Sequence, residues 1–408
     1  MRSPLNNPFE PGSDRVPAVW AGRTEFLGDW RDRVRARRTA GQYERGRTLL
    51  GEAGIGKSVL VRRIAAEARD GGDWVTPQIR VPRGGSPLRL LADALLQLAD
   101  EAGLRARADA ELGALFDRVH TIAVMHVSLG RQPADGVPTH VALRQLLVEV
   151  GRAAAAAGRV VLVHLDEVQN TSDADELSQL MIALGDALAH EDPTNVPGGT
   201  IQTLLPLAVY LTGLPEFADL ATSRGGATFA RRFATNLLAP LDDADLHFAL
   251  RPFVRHGWEV FVDGRAERVA MAPEAAARVV ELCHGDPFLF QLAGQQAWDA
   301  GSEPIIDVDD VMRGWSRARH EAVQHVDRLL ERLPEKERQM VEVMAGLPEE
   351  QRTLTSIARQ MGYETASQAG PTAMRLDANR GIIERRGRAE PYLFRSRIVE
   401  ARLTSEWP

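Results

Sequence analysis

A single cysteine, Cys283, stands among 408 residues. It closes no internal disulfide, which excludes a stapled extracellular scaffold and predicts a reducing, cytoplasmic setting. No apolar run approaches the ~20 residues that a membrane-spanning helix needs. Residues 1–11 carry proline and asparagine where a secretory signal would carry an apolar core, so no membrane partner is expected. Histidine, cysteine and carboxylates never fall at zinc-like spacing, and no structural metal is predicted. Lysine is nearly missing as well. Lys57 and Lys336 are the only two, and arginine supplies the remaining fixed positive charge. That scarcity makes Lys57 conspicuous, because a compact ammonium ion suits phosphate chemistry.

What is present is ordinary for a globular chain of two or three domains: 44% apolar and 26% charged residues. The net charge of −7 rules out a basic nucleic-acid coat. The charge is uneven, however. Residues 351–408 hold ten Arg against six Asp and Glu, so the rest of the chain carries −11.

The pattern along the chain predicts four regions. Residues 1–47 form a leader with turn signals at Asn7-Pro8-Phe9 and Pro11-Gly12, then a helix over 24–38. Residues 48–240 alternate strand and helix, the signature of a parallel sheet with helices on both faces. Strands are expected at 48–50, 74–81, 159–165 and 204–212, and helices at 59–68, 88–102, 141–157 and 175–190. A strand or hairpin insert is expected over 121–129 and a loop over 132–137. Residues 241–332 read as a helical lid without strands. Residues 333–408 read as a winged helix-turn-helix, with helices at 335–345, 354–361 and 368–379 and wing strands at 382–385 and 392–395. The expected fold class is therefore α/β: a P-loop sheet, a helical lid and a winged helix. Neither repeats nor low-complexity tracts interrupt it, apart from the alanines of 153–157.

Gly51-Glu52-Ala53-Gly54-Ile55-Gly56-Lys57-Ser58 matches G-x-x-x-x-G-K-[ST] in full, between a predicted strand and a predicted helix that opens on Val59. Glycines let successive backbone N–H groups turn toward phosphate oxygens, and the helix N-terminus favours the same anion. Lys57 would neutralise the β and γ phosphates of ATP. Ser58 would offer a hydroxyl to Mg2+. Asp166-Glu167 closes the apolar run at 159–165, as a Walker B pair should. Asp166 would hold the magnesium shell and Glu167 would polarise the attacking water. Thr212, at the end of a later strand, could contact the γ-phosphate or simply cap the turn before Gly213. His164 is expected to pack within its strand.

Taken together, Asn7-Pro8-Phe9, Gly22-Arg23, the P-loop, Asp166-Glu167 with Gln169, Thr212-Gly213-Leu214-Pro215 and Gly285-Asp286-Pro287-Phe288 resemble bacterial ATP-binding proteins of the origin-recognition-like AAA branch, which borders on the STAND signalling ATPases. The resemblance covers most of the chain, including the winged helix. It implies that Gly22 and Arg23 lie near adenine and ribose, and that Pro287 belongs to a nucleotide-responsive lid turn. Arg231 and Arg232 stand where this branch often has an arginine finger; the alternative reading of the pair is a solvated basic turn. The second-sensor arginine of AAA lids is absent from 285–291, which implies a slow ATPase used as a conformational switch.

The C-terminal segment offers Gln368, Thr372 and Arg375 on its reading helix and Arg385, Arg386 and Arg388 on its wing. Double-stranded DNA is the expected partner of such a module. Docking of a protein partner is the alternative, and nucleotide-dependent self-assembly would accompany it.

Overall fold

The fold is described from a computed structural model for all residues except 1, 125–136, 172, 218–230, 263, 388–389, 406 and 408. The chain divides into two compact units. One comprises Thr24–Leu50 and Leu60–Asn236; the other comprises Met1–Arg23, Gly51–Val59 and Leu237–Pro408.

The first unit is built on a six-stranded sheet. Strands β1 (Gly46–Leu50), β2 (Trp74–Val75), β3 (Ile79–Arg80), β4 (Val161–Asp166), β7 (Leu207–Gly213) and β8 (Phe233–Leu237) take the order β2-β4-β7-β1-β8, with β3 also on β4. The pairings of β1 with β7 and of β4 with β2, β3 and β7 are all parallel. Every residue of β1, β4 and β7 is buried. Near-continuous apolar runs such as Val161-Leu162-Val163 and Leu207-Ala208-Val209 are what strands covered on both faces require. The expected strand over 74–81 is interrupted between β2 and β3, where Pro77 has no N–H to give the ladder.

Helices cover this sheet. α1 (Lys57–Asp70) follows the glycine loop, and α2 (Pro87–Glu101), α3 (Ala110–Val124), α4 (Thr139–Ala156) and α5 (Ala174–Leu188) follow in turn. Their starts are chemically marked. Ser86 caps α2 by accepting from Arg89 N, and Asp173 caps α5 by accepting from Asp175 N and Glu176 N. The strand expected over 121–129 is corrected at its start: residues 121–124 end α3, whose Phe116, Val119 and Ile122 repeat at helical spacing and are buried. Residues 125–129, and the loop expected over 132–137 apart from its last residue, lie outside the described residues. A hairpin the sequence did not suggest, β5 (Glu191–Val196) with β6 (Gly199–Leu204), precedes β7.

The second unit holds one hydrophobic core running from Phe9 to Trp407. Its helices are α6 (Asp243–Arg255), α7 (Pro273–Cys283), α8 (Pro287–Asp299), α9 (Val308–Glu331), α10 (Glu335–Ala345), α11 (Leu354–Gln360), α12 (Ala366–Met374) and α13 (Arg397–Thr404). The expectation of a strand-free lid is corrected. β9 (Trp258–Val262), β10 (Arg265–Met271) and β11 (Ile305–Ile306) form a small sheet, antiparallel between β9 and β10. Val260, Val269 and Met271 supply its buried face. A two-stranded hairpin, β12 (Ile383–Glu384) with β13 (Leu393–Phe394), follows α12. Trp315 of α9 meets Trp407 edge to face, so Trp407 shares the core of this unit.

Phe9 and Val19 belong to this core, and Arg2 and Asn7 anchor the segment before them on the same unit. Arg2 pairs with Asp310 at 2.7 Å, and both side chains are buried. It also donates to the carbonyls of Glu303 and Ala297. Asn7 bonds Asp299 and the Gln295 carbonyl. Phe9 stacks on Phe253 and covers Gly294, where a Cβ would come within 2.4 Å of its ring. Among the described residues, no helix is long and apolar enough to cross a membrane.

Candidate nucleotide site

β1 ends at Leu50, and the glycine loop begins at the next residue. Gly54 and Gly56 both take φ +88, a region that side chains disfavour. At Gly54 a Cβ would also meet the His325 ring at 2.6 Å and Phe288 at 3.3 Å, whereas at Gly56 it would meet nothing. Backbone conformation alone therefore requires glycine at 56, and packing adds to the requirement at 54. Lys57 opens α1 and is buried; its ammonium donates to the carbonyls of Gly51 at 2.8 Å and Glu52 at 2.9 Å. Ser58 and Val59 follow it in the first turn of that helix. Ala53 is exposed and Ile55 is buried.

Gly22 and Arg23 both adopt left-handed backbone, at φ +61 and +63. For an arginine that conformation is uncommon and has to be held by its surroundings. Arg23 is buried and donates to the Ile55 carbonyl at 3.2 Å, so it buttresses the loop. Pro287 is the first residue of α8, whose cap Asp286 accepts from Leu289 N at 2.9 Å. The other Asp286 oxygen lies 3.1 Å from His325 Nε2. The Gly-Asp-Pro turn thus orients the histidine that rests on Gly54. Glu52 is held by Arg332 at 3.0 Å and lies 3.8 Å from Arg380.

In the sheet unit, Thr212 is paired with Leu49 and Gly213 with Leu50, which brings the end of β7 beside the end of β1. There the Thr212 hydroxyl donates to Asp166 Oδ1, and its oxygen lies 3.2 Å from His164 Nε2. With its proton given to Asp166, Thr212 accepts from the imidazole N–H, which fixes the histidine tautomer. Burial pushes the His164 pKa down to about 4, against the opposing pull of the Asp166 charge. His164 is therefore a neutral donor packed in the strand. Asp166 is fully buried. Its Oδ2 accepts from Gln78 at 2.7 Å and from Arg80 at 3.3 Å, and its Oδ1 from Glu167 N at 3.1 Å. Glu167 sits at φ +59, and its carboxylate accepts from Gln169 Nε2. Gln169 Oε1 in turn accepts from Leu214 N at 3.0 Å, tying the acidic pair to the turn after β7.

Magnesium takes hard oxygen ligands. Ser58 carries a hydroxyl and Asp166 a carboxylate, and each by itself is an oxygen donor of the kind the ion takes.

Arg232 forms an ion pair with Asp186, and its carbonyl accepts from Gly46 N at 3.0 Å. Arg231 is exposed. Only Arg231 of the pair is thus directed outward. Gln368 spends its side-chain oxygen on Thr365 N as part of a capping box. Thr372 is 3% exposed, so it faces the core and is removed from any outward reading face. Arg375 is bound to Glu337 at 2.9 Å. Arg385 lies over Tyr392 and donates to the Glu390 carbonyl, while Arg386 is mostly exposed near Glu384. Arg388 lies outside the described residues.

Sequence reasoning missed Gln78, Arg80, His325, Arg332 and Arg380. Asp286 in the Gly-Asp-Pro-Phe run was the one local signal pointing toward His325.

Residues 19–196 match the family model for the AAA ATPase domain, AAA_16, and this part of the chain carries such a domain. No curated protein matches the chain. Among solved structures, the Walker-type ATPase PABY2304 of Pyrococcus abyssi is 16% identical, over 94% of this chain and 97% of that one, with a TM-score of 0.53. The Aeropyrum pernix ORC2 protein, solved as ADPNP–ADP complexes, is 14% identical over 99% and 98%, with a TM-score of 0.51. At these identities the likeness shows the fold, that of a P-loop NTPase.

Proposed function

We propose that this chain is an ATP-binding P-loop ATPase of low turnover that works as a nucleotide-dependent switch on DNA or a partner protein. The observation that carries the reading is the loop of residues 51–58. Two positive-φ glycines turn its backbone, and the Lys57 ammonium is directed at the loop carbonyls at the head of α1. Phosphate oxygens of ATP are the ligand such a loop fits. The described ADPNP and ADP complexes of the Aeropyrum ORC2 protein support nucleotide as the ligand class.

In this reading Gly51, Glu52, Ala53, Gly54, Ile55, Gly56 and Val59 shape the phosphate cradle. Lys57 neutralises the phosphates, and Gly22, Arg23 and Pro287 border the base and ribose. Ser58 and Asp166 hold Mg2+, which offsets phosphate charge when bound. Glu167 orients water and Thr212 fixes Asp166. Arg231 is the better candidate for a finger reaching a second copy. Low turnover is supported by the engagement of both acidic residues: Asp166 by Arg80 and Gln78, Glu167 by Gln169. Fast, sustained hydrolysis by the isolated protein would sink that part of the reading.

A second reading is a STAND-like module that assembles with a protein partner without binding DNA. It is favoured by α12. Gln368 caps its own helix, Thr372 is buried and Arg375 is paired, whereas Met374 is 65% exposed. We infer that residues 333–408 act as a winged helix in either case. Binding of duplex DNA should be measured with ATP, with ADP and without nucleotide, across a salt series. Nucleotide-dependent, salt-sensitive binding supports the DNA switch. Self-assembly with ATP and no DNA binding supports the second reading.

A further inference from the structure

One residue of the P-loop is gripped from two sides. The Glu52 carbonyl accepts from the Lys57 ammonium at 2.9 Å, and its carboxylate holds Arg332 at 3.0 Å, with Arg380 at 3.8 Å. Arg380 reaches further. It forms an ion pair with Glu337, whose other oxygen binds Arg375 at 2.9 Å. Glu52, Arg380 and Glu337 are all nearly buried, so these charges are poorly screened. A continuous chain of charges therefore runs from the loop lysine to Arg375, which directly follows α12.

We propose that this chain, Lys57–Glu52–Arg380–Glu337–Arg375, transmits nucleotide occupancy of the P-loop to the C-terminal module. The inference rests on the reading of residues 51–58 as an ATP site. A bound polyphosphate draws the Lys57 ammonium away from the Glu52 carbonyl. It also sets several negative charges beside the Glu52 carboxylate, repelling it and competing for Arg332 and Arg380. Arg380 then leaves Glu52 and the strap it shares with Glu337 loosens. Residues 366–380 are released by the same step that fills the loop. Glu52 and Arg380 are positioning residues in this scheme, since neither needs to touch a reacting atom.

The test is amide hydrogen exchange over residues 366–380 of the full chain, with and without saturating ATP and Mg2+, alongside direct measurement of ATP binding. In the unsubstituted protein ATP should speed exchange there by about tenfold. Arg380→Gln should still bind ATP saturably, with an affinity shifted in step with the lost link because the coupling is reciprocal, and lose that response, and Arg380→Lys should restore part of it. Glu52→Gln, read at saturating ATP, should also lose the response while leaving Arg380 paired with Glu337. ATP binding with unchanged or slowed exchange at 366–380 would overturn the coupling and leave the ATP site standing. A full response in Arg380→Gln would overturn it too. Absence of any saturable ATP binding would remove both the site reading and the coupling.

Discussion

The His325 ring rests on Gly54, with its Nε2 held 3.1 Å from Asp286 at the cap of α8. Helix α9 thus touches the glycine loop at its most crowded glycine. Gly54→Ala would force a side chain onto φ +88 backbone and into the imidazole at once. The expected cost is about 2–4 kcal/mol of stability, together with weaker ATP binding. Adding His325→Ala should recover the steric share, about 1 kcal/mol or more, and leave the conformational share. Thermal melts of the two single variants and the double variant separate the shares. Strict additivity would mean that the contact carries no energy.

Thr212 is the joint between His164 and Asp166. Thr212→Val keeps the shape of the side chain but leaves the His164 N–H without its acceptor and takes one donor from Asp166. A loss of about 1–3 kcal/mol in stability is expected. Turnover should fall by about tenfold or more while ATP affinity changes little, because the phosphate cradle is built from other residues. Unchanged single-turnover hydrolysis would reduce Thr212 to a structural role.

The strand, glycine loop and helix around residues 46–70 were legible because their pattern is local. Gly51 to Ser58 is contiguous, the strand before it ends on Leu49-Leu50, and Asp166-Glu167 follows the mostly apolar run Val160 to Leu165. The three-stranded sheet beside the lid was not legible. β9 exposes Phe261 and β11 exposes Ile305, so neither shows a clean alternation. The β5–β6 hairpin lacks an apolar face altogether, and Pro193 argues against a strand. Contacts such as Glu52 with Arg332 join residues hundreds of positions apart, and no spacing in the sequence announces them. Thr372 misled for a related reason. Its place at helical spacing from Gln368 and Arg375 was correct, but the sequence did not say which way that face turns.

Arg2 shows that the first residues are structural. Arg2→Ala would leave Asp310 buried beside Arg313 alone, without its most enclosed partner. Breaking a buried pair from one side typically costs about 3–5 kcal/mol. Replacing both residues, as Arg2→Met with Asp310→Leu, should be far milder. Denaturant midpoints measure the difference. A neutral Arg2→Ala would mean that residues 2–9 are held by Phe9 and Asn7 without help from the ion pair.

His164 makes stability depend on pH in a definite direction. Its folded pKa of about 4 lies below the ordinary value of 6.5 because burial disfavours the charged ring. Between those values the unfolded chain binds a proton that the folded chain refuses, so stability falls as pH drops through this window and rises as pH climbs back. Below about pH 4 both forms are protonated, and this group adds no further slope. Between pH 7 and pH 5 the unsubstituted protein should therefore lose about 2 kcal/mol more than His164→Gln, whose amide cannot titrate. Urea denaturation of both proteins at those two pH values is sufficient, since other titrating groups are common to the pair and cancel. Equal losses would mean that the ring already takes up a proton in the folded state, and the Thr212 hydroxyl would then have to accept from an imidazolium beside Asp166.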